Sequence, residues 1–380
     1  MKQSVSFLII LAIILSFTNC KRSTNDIIYD KKYIEPIKAA RDQLGFYMAR
    51  NLIPGASIAV IKNNQLIYSE ALGQASKELE VPAKRETKFR IGELSEIFTS
   101  FIYLQMVEEG ILHPDSTIQH YLPAFPEKEY HLRLQYLVNH TSGIREPNEN
   151  EEEWRALNVT IEAGLDQFKD DPLSHPPTMY QTPSMYNYNL LGAVMEKATG
   201  KRFHQLLKTY ITDTLKLSNT VIDNPLINIP GRTQFYDHNI VAQVVNATTR
   251  DMRYRAPSQG LLSTSEDIAK FGYEIIHTEL LSEETKNTMF ESIPLFDSIP
   301  SGMANGWLLM SDSNFNTIYG KGGSVTGGNA SILIYPEYDL VVACATNLST
   351  HLNDTPIFEI ASNFLPESAR KKEEEQSEDN

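Results

Sequence analysis

The chain has 380 residues, of which 41% are hydrophobic and 22% charged, a composition typical of a globular protein with one large or two small cores. Its formal net charge is -14, and no basic tract balances that charge. A chain of this charge is not expected to bind nucleic acid, so that class of function is excluded.

The N-terminus has the pattern of a secretory signal, with Lys2 ahead of an apolar run over residues 7–17. This run is shorter than the roughly 20 apolar residues of a transmembrane helix. A cysteine soon after such a run resembles a bacterial lipoprotein site. We therefore predict a signal peptide over residues 1–19, lipidation of Cys20, a polar linker over residues 20–32, and export to the bacterial cell envelope with a membrane anchor. A plain signal peptide with cleavage nearby is the alternative.

The first predicted elements of the folded part are a helix and a hairpin. Residues 33–50 carry apolar side chains at helical spacing. Strand-like runs over residues 56–62 and 65–69 then flank Asn63 and Asn64. Because Asn tolerates positive φ, these runs are predicted to form a β-hairpin.

The rest of the chain is mostly helical in pattern until its last quarter. Strand-like runs occupy residues 306–310, 330–335 and 340–346, and an amphipathic helix is predicted over residues 357–364. Strands at both ends with helices between them predict an α+β protein. Its sheet joins the N- and C-terminal parts, with a helical region inserted.

Two further features concern the end of the chain. Residues 371–380 contain no apolar side chain, so an acidic disordered tail is predicted over residues 367–380, after a domain over residues 33–366. Cys344 lies in an apolar strand-like run and is predicted to be a small buried residue.

Five segments in a fixed order resemble one known family, the serine β-lactamase and penicillin-binding-protein superfamily, in its class C, esterase and D-aminopeptidase branch. The segments are residues 53–60 (IPGASIAV), 137–144 (LVNHTSGI), 188–192 (YNLLG), 260–267 (GLLSTSED) and 320–323 (GKGG) with 329–336. The resemblance covers about residues 33–365. It implies a β-lactamase-like fold, in which helices flank an antiparallel sheet beside a helical subdomain, with the active site in the cleft between them.

The resemblance also implies three catalytic motifs, the first of which is S-x-x-K. In that motif a Ser opens a helix, and a neutral Lys one turn later takes its proton. This chain reads FRIGELSE over residues 89–96, so Glu93 replaces the Ser and Glu96 the Lys. A carboxylate does not supply the Ser oxygen. Ser95 lies about 200° further round the helix and is predicted to point away from the cleft.

The second motif is Y-x-N, whose Tyr is a proton shuttle. The register of the resemblance places Pro183, Ser184 and Met185 there, and the chain contains no Y-x-N. Tyr180 or Tyr186 replaces the Tyr if the loop is shifted, but loss of the motif is the simpler interpretation.

The third motif is a cation followed by T/S-G on a strand that lines the cleft. Lys321, Gly322 and Gly323 keep the cation and the final Gly, and the resemblance implies that Ser324 donates a backbone N–H to the oxyanion. We predict that these four residues and Glu93 form the binding site. Glu93 is expected to face Lys321 and neutralise the cation that recruits anionic substrates. A carboxylate in the oxyanion hole also opposes the negative charge that develops there.

These residues also allow other interpretations. Glu93 and Glu96 share one helix face and could ligate a divalent cation, but no His or Asp motif accompanies them, so neither a metal nor a cofactor is predicted. His140 is interpreted as part of a structural turn. Met179 and Met185, with the nearby tyrosines, line either a ligand pocket or the core.

The leading hypothesis is an exported, lipid-anchored, β-lactamase-related protein that has lost serine-hydrolase catalysis. Its cleft would bind a small molecule, a peptide, a cell-wall fragment or a protein partner. The first alternative is an active esterase, D-amino peptidase or weak β-lactamase that uses Ser95 or Ser184 as nucleophile. The second is a purely structural envelope protein whose cleft is filled by its own side chains.

Overall fold

The computed structural model describes residues 27–152, 154, 157, 159–350 and 354–370. Its strands are β1 (Ile28–Tyr29), β2 (Gly55–Lys62), β3 (Gln65–Ser76), β4 (Val81–Pro82), β5 (Phe89–Arg90), β6 (Val221–Ile222), β7 (Tyr236–His238), β8 (Val244–Asn246), β9 (Leu261–Ser263), β10 (Met303–Ala304), β11 (Trp307–Ser311), β12 (Thr317–Val325), β13 (Gly328–Tyr335) and β14 (Leu340–Thr346).

Its α-helices are α1 (Ile34–Asn51), α2 (Ser95–Glu108), α3 (Ile118–Tyr121), α4 (Leu134–Val138), α5 (Glu149–Glu152), α6 (Ile161–Gly164), α7 (Met185–Thr199), α8 (Phe203–Leu207), α9 (Ser265–His277), α10 (Glu283–Met289), α11 (Ile357–Ser362) and α12 (Glu367–Arg370). Short 3-10 turns complete the chain, and one of them, Gly92–Leu94, leads into α2.

A single large antiparallel sheet organises the molecule. Its path among the described residues is β1-β3-β2-β14-β13-β12-β11-β10, with β4 paired to β3 beside it. The N-terminal hairpin β2–β3 therefore lies next to the C-terminal strand β14, seven residues of which pair with β2. The sheet joins the two ends of the chain, and the helical region is inserted between them, as the sequence predicts.

The two faces of the sheet bury two separate cores, because side chains alternate between the faces of a strand. In β2, Ala59 and Ile61 pack toward α2 and α9, in the core that includes the helical region. Ile58 and Val60 pack on the other face, in the core formed with α1 and α11. Cys344 is only 1% exposed and belongs to this second core, which confirms the prediction of a small buried residue.

The local predictions agree closely with these elements. Asn63 and Asn64 both have positive φ, at 49° and 59°, which gives the tight connection of the β2–β3 hairpin. The predicted helix over residues 33–50 is α1, and the three predicted C-terminal strands are β11, β13 and β14. The predicted helix over residues 357–364 is α11, which ends two residues earlier than expected.

Two segments that flank the predicted domain contain regular structure. The predicted linker over residues 20–32 contains β1, which pairs with β3 at the edge of the sheet. The predicted tail over residues 367–380 begins with α12, whose Ala369 is fully buried and accepts a hydrogen bond from Asn316 Nδ2 at 3.0 Å. Backbone pairing and burial of one small residue hold both segments, although their composition is polar.

The predicted signal peptide, the lipidated Cys20 and residues 371–380 lie outside the described residues. Within the part of the chain that the structure describes, no helix has the length and apolar character required to span a bilayer.

Candidate functional site

The site is built where the start of α2 meets β12. Helix α2 is the central helix of the molecule, and residues 95 to 106 are all buried, so its first turn is fixed in position by packing on every side. The 3-10 turn before it brings Glu93 to the edge of the sheet, and Glu96 follows in the first helical turn.

Two glycines allow the backbone of this turn to touch the backbone of β12. A Cβ on Gly323 would lie 2.0 Å from Ile91 O and 2.6 Å from Glu93 N. Gly92 has φ +52°, and a Cβ there would lie 2.7 Å from Ser324 N. Because only glycine permits both close approaches, the Ser324 amide is presented directly to the side chain of Glu93.

The side-chain oxygens of Glu93 each accept a hydrogen bond from an N–H donor. Its Oε2 accepts a hydrogen bond from Ser324 N at 2.7 Å, and its Oε1 accepts one from Gln259 Nε2 at 2.7 Å. Burial raises the pKa of this carboxyl; the N–H groups of Glu93 and Ser324 oppose the rise, and the charge of Glu96 adds to it. Backbone amides aimed at a negative oxygen are the arrangement that stabilises tetrahedral intermediates in acyl transfer, and here a side chain of the protein uses them.

Glu96 is the centre of a second, fully buried group of charges. Its Oε2 accepts a hydrogen bond from Lys321 Nζ at 2.6 Å, and the side chains are 3% and 6% exposed respectively. His140 Nε2 lies 3.2 Å from the same oxygen. Burial alone would raise the pKa of Glu96, but Lys321 and then His140 outweigh burial, so the pKa lies below its ordinary value. Glu96 is therefore held as a carboxylate.

The hydrogen bonds of His140 define its tautomer. Ser184 N and Asn187 Nδ2 each approach His140 Nδ1 at 3.2 Å, so Nδ1 acts as the acceptor. In a neutral imidazole the proton is then on Nε2, which donates to Glu96. The residue itself has φ +56° in the turn after α4, and this backbone conformation directs its ring toward α2.

The expected pairing of Glu93 with Lys321 is corrected by these distances. Lys321 pairs with Glu96, and the two oxygens of Glu93 bind neutral N–H donors instead. The reason is the spacing along the strand. Gly323 contacts the turn at Glu93, and Lys321, two residues earlier on the same face of β12, reaches the next helical turn.

The two alternative nucleophiles are both engaged elsewhere. Ser95 is fully buried, and its Oγ accepts a hydrogen bond from Leu261 N at 3.2 Å. Ser184 caps the N-terminus of α7, with its Oγ donating to Arg145 O at 2.7 Å and accepting from Tyr186 N. Each hydroxyl therefore has a structural role.

The tyrosines near the second motif do not supply a hydroxyl to this group of residues. Tyr186 is fully buried and stacks on Phe168, with ring centroids 4.2 Å apart. Tyr188 donates its hydroxyl to Val138 O at 2.8 Å. Tyr180 is 56% exposed and packs its ring edge against His175. Met185 is buried in the main core, whereas Met179 is 37% exposed.

Sequence reasoning missed two members of the site. His140 was interpreted as a structural turn residue, yet its buried ring contacts Glu96. Gln259 lies directly before the segment GLLSTSED and reaches Glu93 from there. A buried carboxylate at residue 96 requires hydrogen-bond donors around it, and this requirement is the sequence signal that points to His140. No sequence signal points to Gln259. Among the described residues, no group of three His, Cys, Asp or Glu side chains could hold a metal ion.

Comparisons with known proteins agree with this architecture. A family profile described as Beta-lactamase matches residues 41–357. The chain is 26% identical over 314 residues to the Serine beta-lactamase-like protein LACTB, mitochondrial, of Homo sapiens, covering 64% of this chain and 57% of that protein. The chain thus spans a little over half of the length of that curated relative.

Two solved structures have the same fold. The octameric penicillin-binding protein homologue from Pyrococcus abyssi superposes with a TM-score of 0.73 at 22% identity, covering 86% of this chain and 75% of that one. A D-stereospecific amidohydrolase from Streptomyces sp. gives a TM-score of 0.73 at 20% identity, covering 86% and 98%. At these identities they show the fold alone. Because the family profile extends over most of the chain, the protein belongs to the Beta-lactamase family of serine hydrolases.

Proposed function

We propose that this protein is a non-hydrolytic member of its family, whose cleft binds a peptide, a cell-wall fragment or a protein partner without acyl transfer. The observation that carries the proposal is the hydrogen bond from Ser324 N to Glu93 Oε2 at 2.7 Å. An amide that would stabilise a developing oxyanion already binds a carboxylate, and a second negative charge placed there would be repelled.

The state of the cation supports the same proposal. Lys321 is the residue that the family resemblance assigns to attraction of an anionic substrate group, and it is 2.6 Å from Glu96 in a buried ion pair. Its charge is therefore neutralised at short range. The two serines that could replace the nucleophile, Ser95 and Ser184, are 0% and 3% exposed. Neither of these two hydroxyls is accessible to a substrate carbonyl.

The test is to incubate the full chain in detergent with a reporter penicillin and an activated ester. Turnover and intact mass would be recorded together. We expect neither turnover nor an adduct from the wild-type protein. Saturable adduct formation, or turnover that Ser95→Ala or Ser184→Ala abolishes, would overturn the proposal in favour of an active hydrolase. A purely structural protein would instead show no ligand-induced rise in melting temperature with any candidate ligand.

We also propose export and lipid anchoring through Cys20. The apolar run over residues 7–17 before that cysteine supports this location. Metabolic labelling with a clickable fatty acid tests it: the wild-type protein should incorporate the label and remain with membranes, and Cys20→Ala should do neither. Equal labelling of both proteins would refute the anchor.

A further inference from the structure

The direct partners of the Glu93 carboxyl group are neutral. They are a backbone amide and the side-chain amide of Gln259. Within the described parts of the chain, no lysine, arginine or histidine forms a direct ion pair with Glu93, because Lys321 and His140 both contact Glu96. Lys321 therefore acts on Glu93 only at longer range, and a cationic ligand group would give this carboxyl a direct ion-pair partner.

The charges of the site give a net sign opposite to that expected of the family's binding cleft. Lys321 and Glu96 cancel as a buried pair, and the Nε2–H tautomer of His140 is neutral. Above its raised pKa, Glu93 adds one negative charge to the site. The family resemblance implies attraction of an anionic substrate group to this position, whereas these residues attract a cation.

Exposure and hydrogen-bonding capacity point to the same kind of ligand. Glu96 and Lys321 are buried, but Glu93 and Gln259 keep partial contact with solvent. A carboxylate has about four acceptor sites on its two oxygens, and the N–H groups of Ser324, Gln259 and Glu93 itself use up to three of them. An ammonium group is a donor with no acceptor, so one of its N–H groups suits the remaining site and the others can face solvent.

We propose that the cleft recognises its ligand through a primary ammonium group bound by Glu93, such as the free amine of a peptide or of an amino-bearing cell-wall fragment. This inference rests on the proposed non-hydrolytic function. It names the chemical class of ligand that the same cleft takes. Gln259 acts as a positioning residue, because its amide fixes one oxygen of the carboxylate.

The test compares two small probes that differ in the sign of their charge. D-alanyl-D-alanine amide carries an ammonium and no carboxylate, and N-acetyl-D-alanyl-D-alanine carries a carboxylate and no ammonium. Calorimetric titration of the full chain at pH 7, where the α-amino group (pKa about 7.7–8.0) is mostly protonated, is expected to show at least about tenfold tighter binding of the amide. Equal binding of both probes, tighter binding of the acid, or no binding of the amide would overturn the inference.

Two matched variants identify the group responsible. Glu93→Gln keeps the shape of the side chain and removes its charge, so the preference for the amide should disappear. Glu129→Gln makes the same change in net charge at an exposed position and should retain the preference. A preference that survives Glu93→Gln would overturn the assignment to Glu93.

The same samples separate the two proposals. Mass spectrometry after titration shows whether either dipeptide has been cleaved. Cleavage would overturn the non-hydrolytic function, whatever the order of affinities. Intact probes with a preference for the acid would overturn only the ammonium inference.

Discussion

The buried pair of Lys321 and Glu96 gives the sharpest prediction about stability. The two charged atoms are 2.6 Å apart, and the side chains are 6% and 3% exposed, so solvent screens the pair weakly. Removal of one partner leaves the other as an uncompensated buried charge, which typically costs about 3–5 kcal/mol. His140 still donates to Glu96 after Lys321→Met, so we expect a loss near the lower end, about 3 kcal/mol.

A double-mutant cycle tests this reasoning. Lys321→Met and Glu96→Met should each destabilise the protein strongly. The double variant should lie within about 3 kcal/mol of wild type, because replacing a whole buried pair by apolar side chains is often neutral or stabilising, whereas His140 Nε2 loses its acceptor at a cost of about 1–3 kcal/mol. Urea unfolding followed by circular dichroism at pH 7 gives the midpoints. A Lys321→Met loss below about 1 kcal/mol, or a double variant as unstable as the sum of the single variants, would refute the account.

The contribution of the same pair to stability depends on pH. The pKa of Glu96 lies below its ordinary value in the folded state. Its contribution to stability is therefore complete above that ordinary value and is lost as the pH falls through the folded-state pKa. In Lys321→Met the main cause of the lowered pKa is absent, so the acid-induced loss should be smaller than in wild type. Equal losses in the two proteins would contradict this cause.

Three further predictions concern the turn before α2. Gly323→Ala should lower the free energy of unfolding in urea by at least about 2 kcal/mol, because the new Cβ would lie 2.0 Å from Ile91 O. Gly45→Ala in α1 is the control: a Cβ there meets no atom within 4 Å, so this change should stabilise the protein by roughly 0.5–1 kcal/mol. Equal effects of the two changes would refute the close-packing argument. Because burial raises the pKa of Glu93, the free energy of unfolding of the wild type should fall as the pH rises through that pKa. The stability of Glu93→Gln relative to wild type should therefore increase over the same pH range. A stability difference between the two proteins that does not change with pH would refute this prediction. The double change Glu93→Ser with Glu96→Lys rebuilds S-x-x-K, and intact mass should then show a penicillin adduct that wild type lacks; a protein that folds but gains no adduct would show that loss of Y-x-N alone prevents acylation.

The sequence predicted those parts of the fold that depend on local patterns. Asn63 and Asn64 marked the hairpin, and alternating apolar runs marked the central strands, because turn chemistry and side-chain period are written in neighbouring residues. Strand β1 was missed, since a two-residue strand at the edge of a sheet has no period to detect. Its place is fixed by pairing with β3, a contact between distant parts of the chain.

The site was predicted in position but not in its pairing. The motif register located Glu93, Glu96 and Lys321 in one cleft, and the structure brings all three together. Lys321 pairs with Glu96 and not with Glu93 because the backbone of β12 contacts the turn before α2 at Gly323. Residue spacing along the sequence does not contain this tertiary contact. His140 and Gln259 reach the site from segments far along the chain, so no local pattern could assign them.

Neither glutamate can be replaced alone to give a serine beside a neutral amine. Glu93→Ser alone would withdraw the carboxylate from the Ser324 amide, yet Glu96 in its pair with Lys321 offers no neutral amine to activate the new hydroxyl. Glu96→Lys alone would place a second lysine beside Lys321 with no serine to activate. Selection acting one substitution at a time would therefore gain no acylation from either change and would tend to leave both glutamates in place.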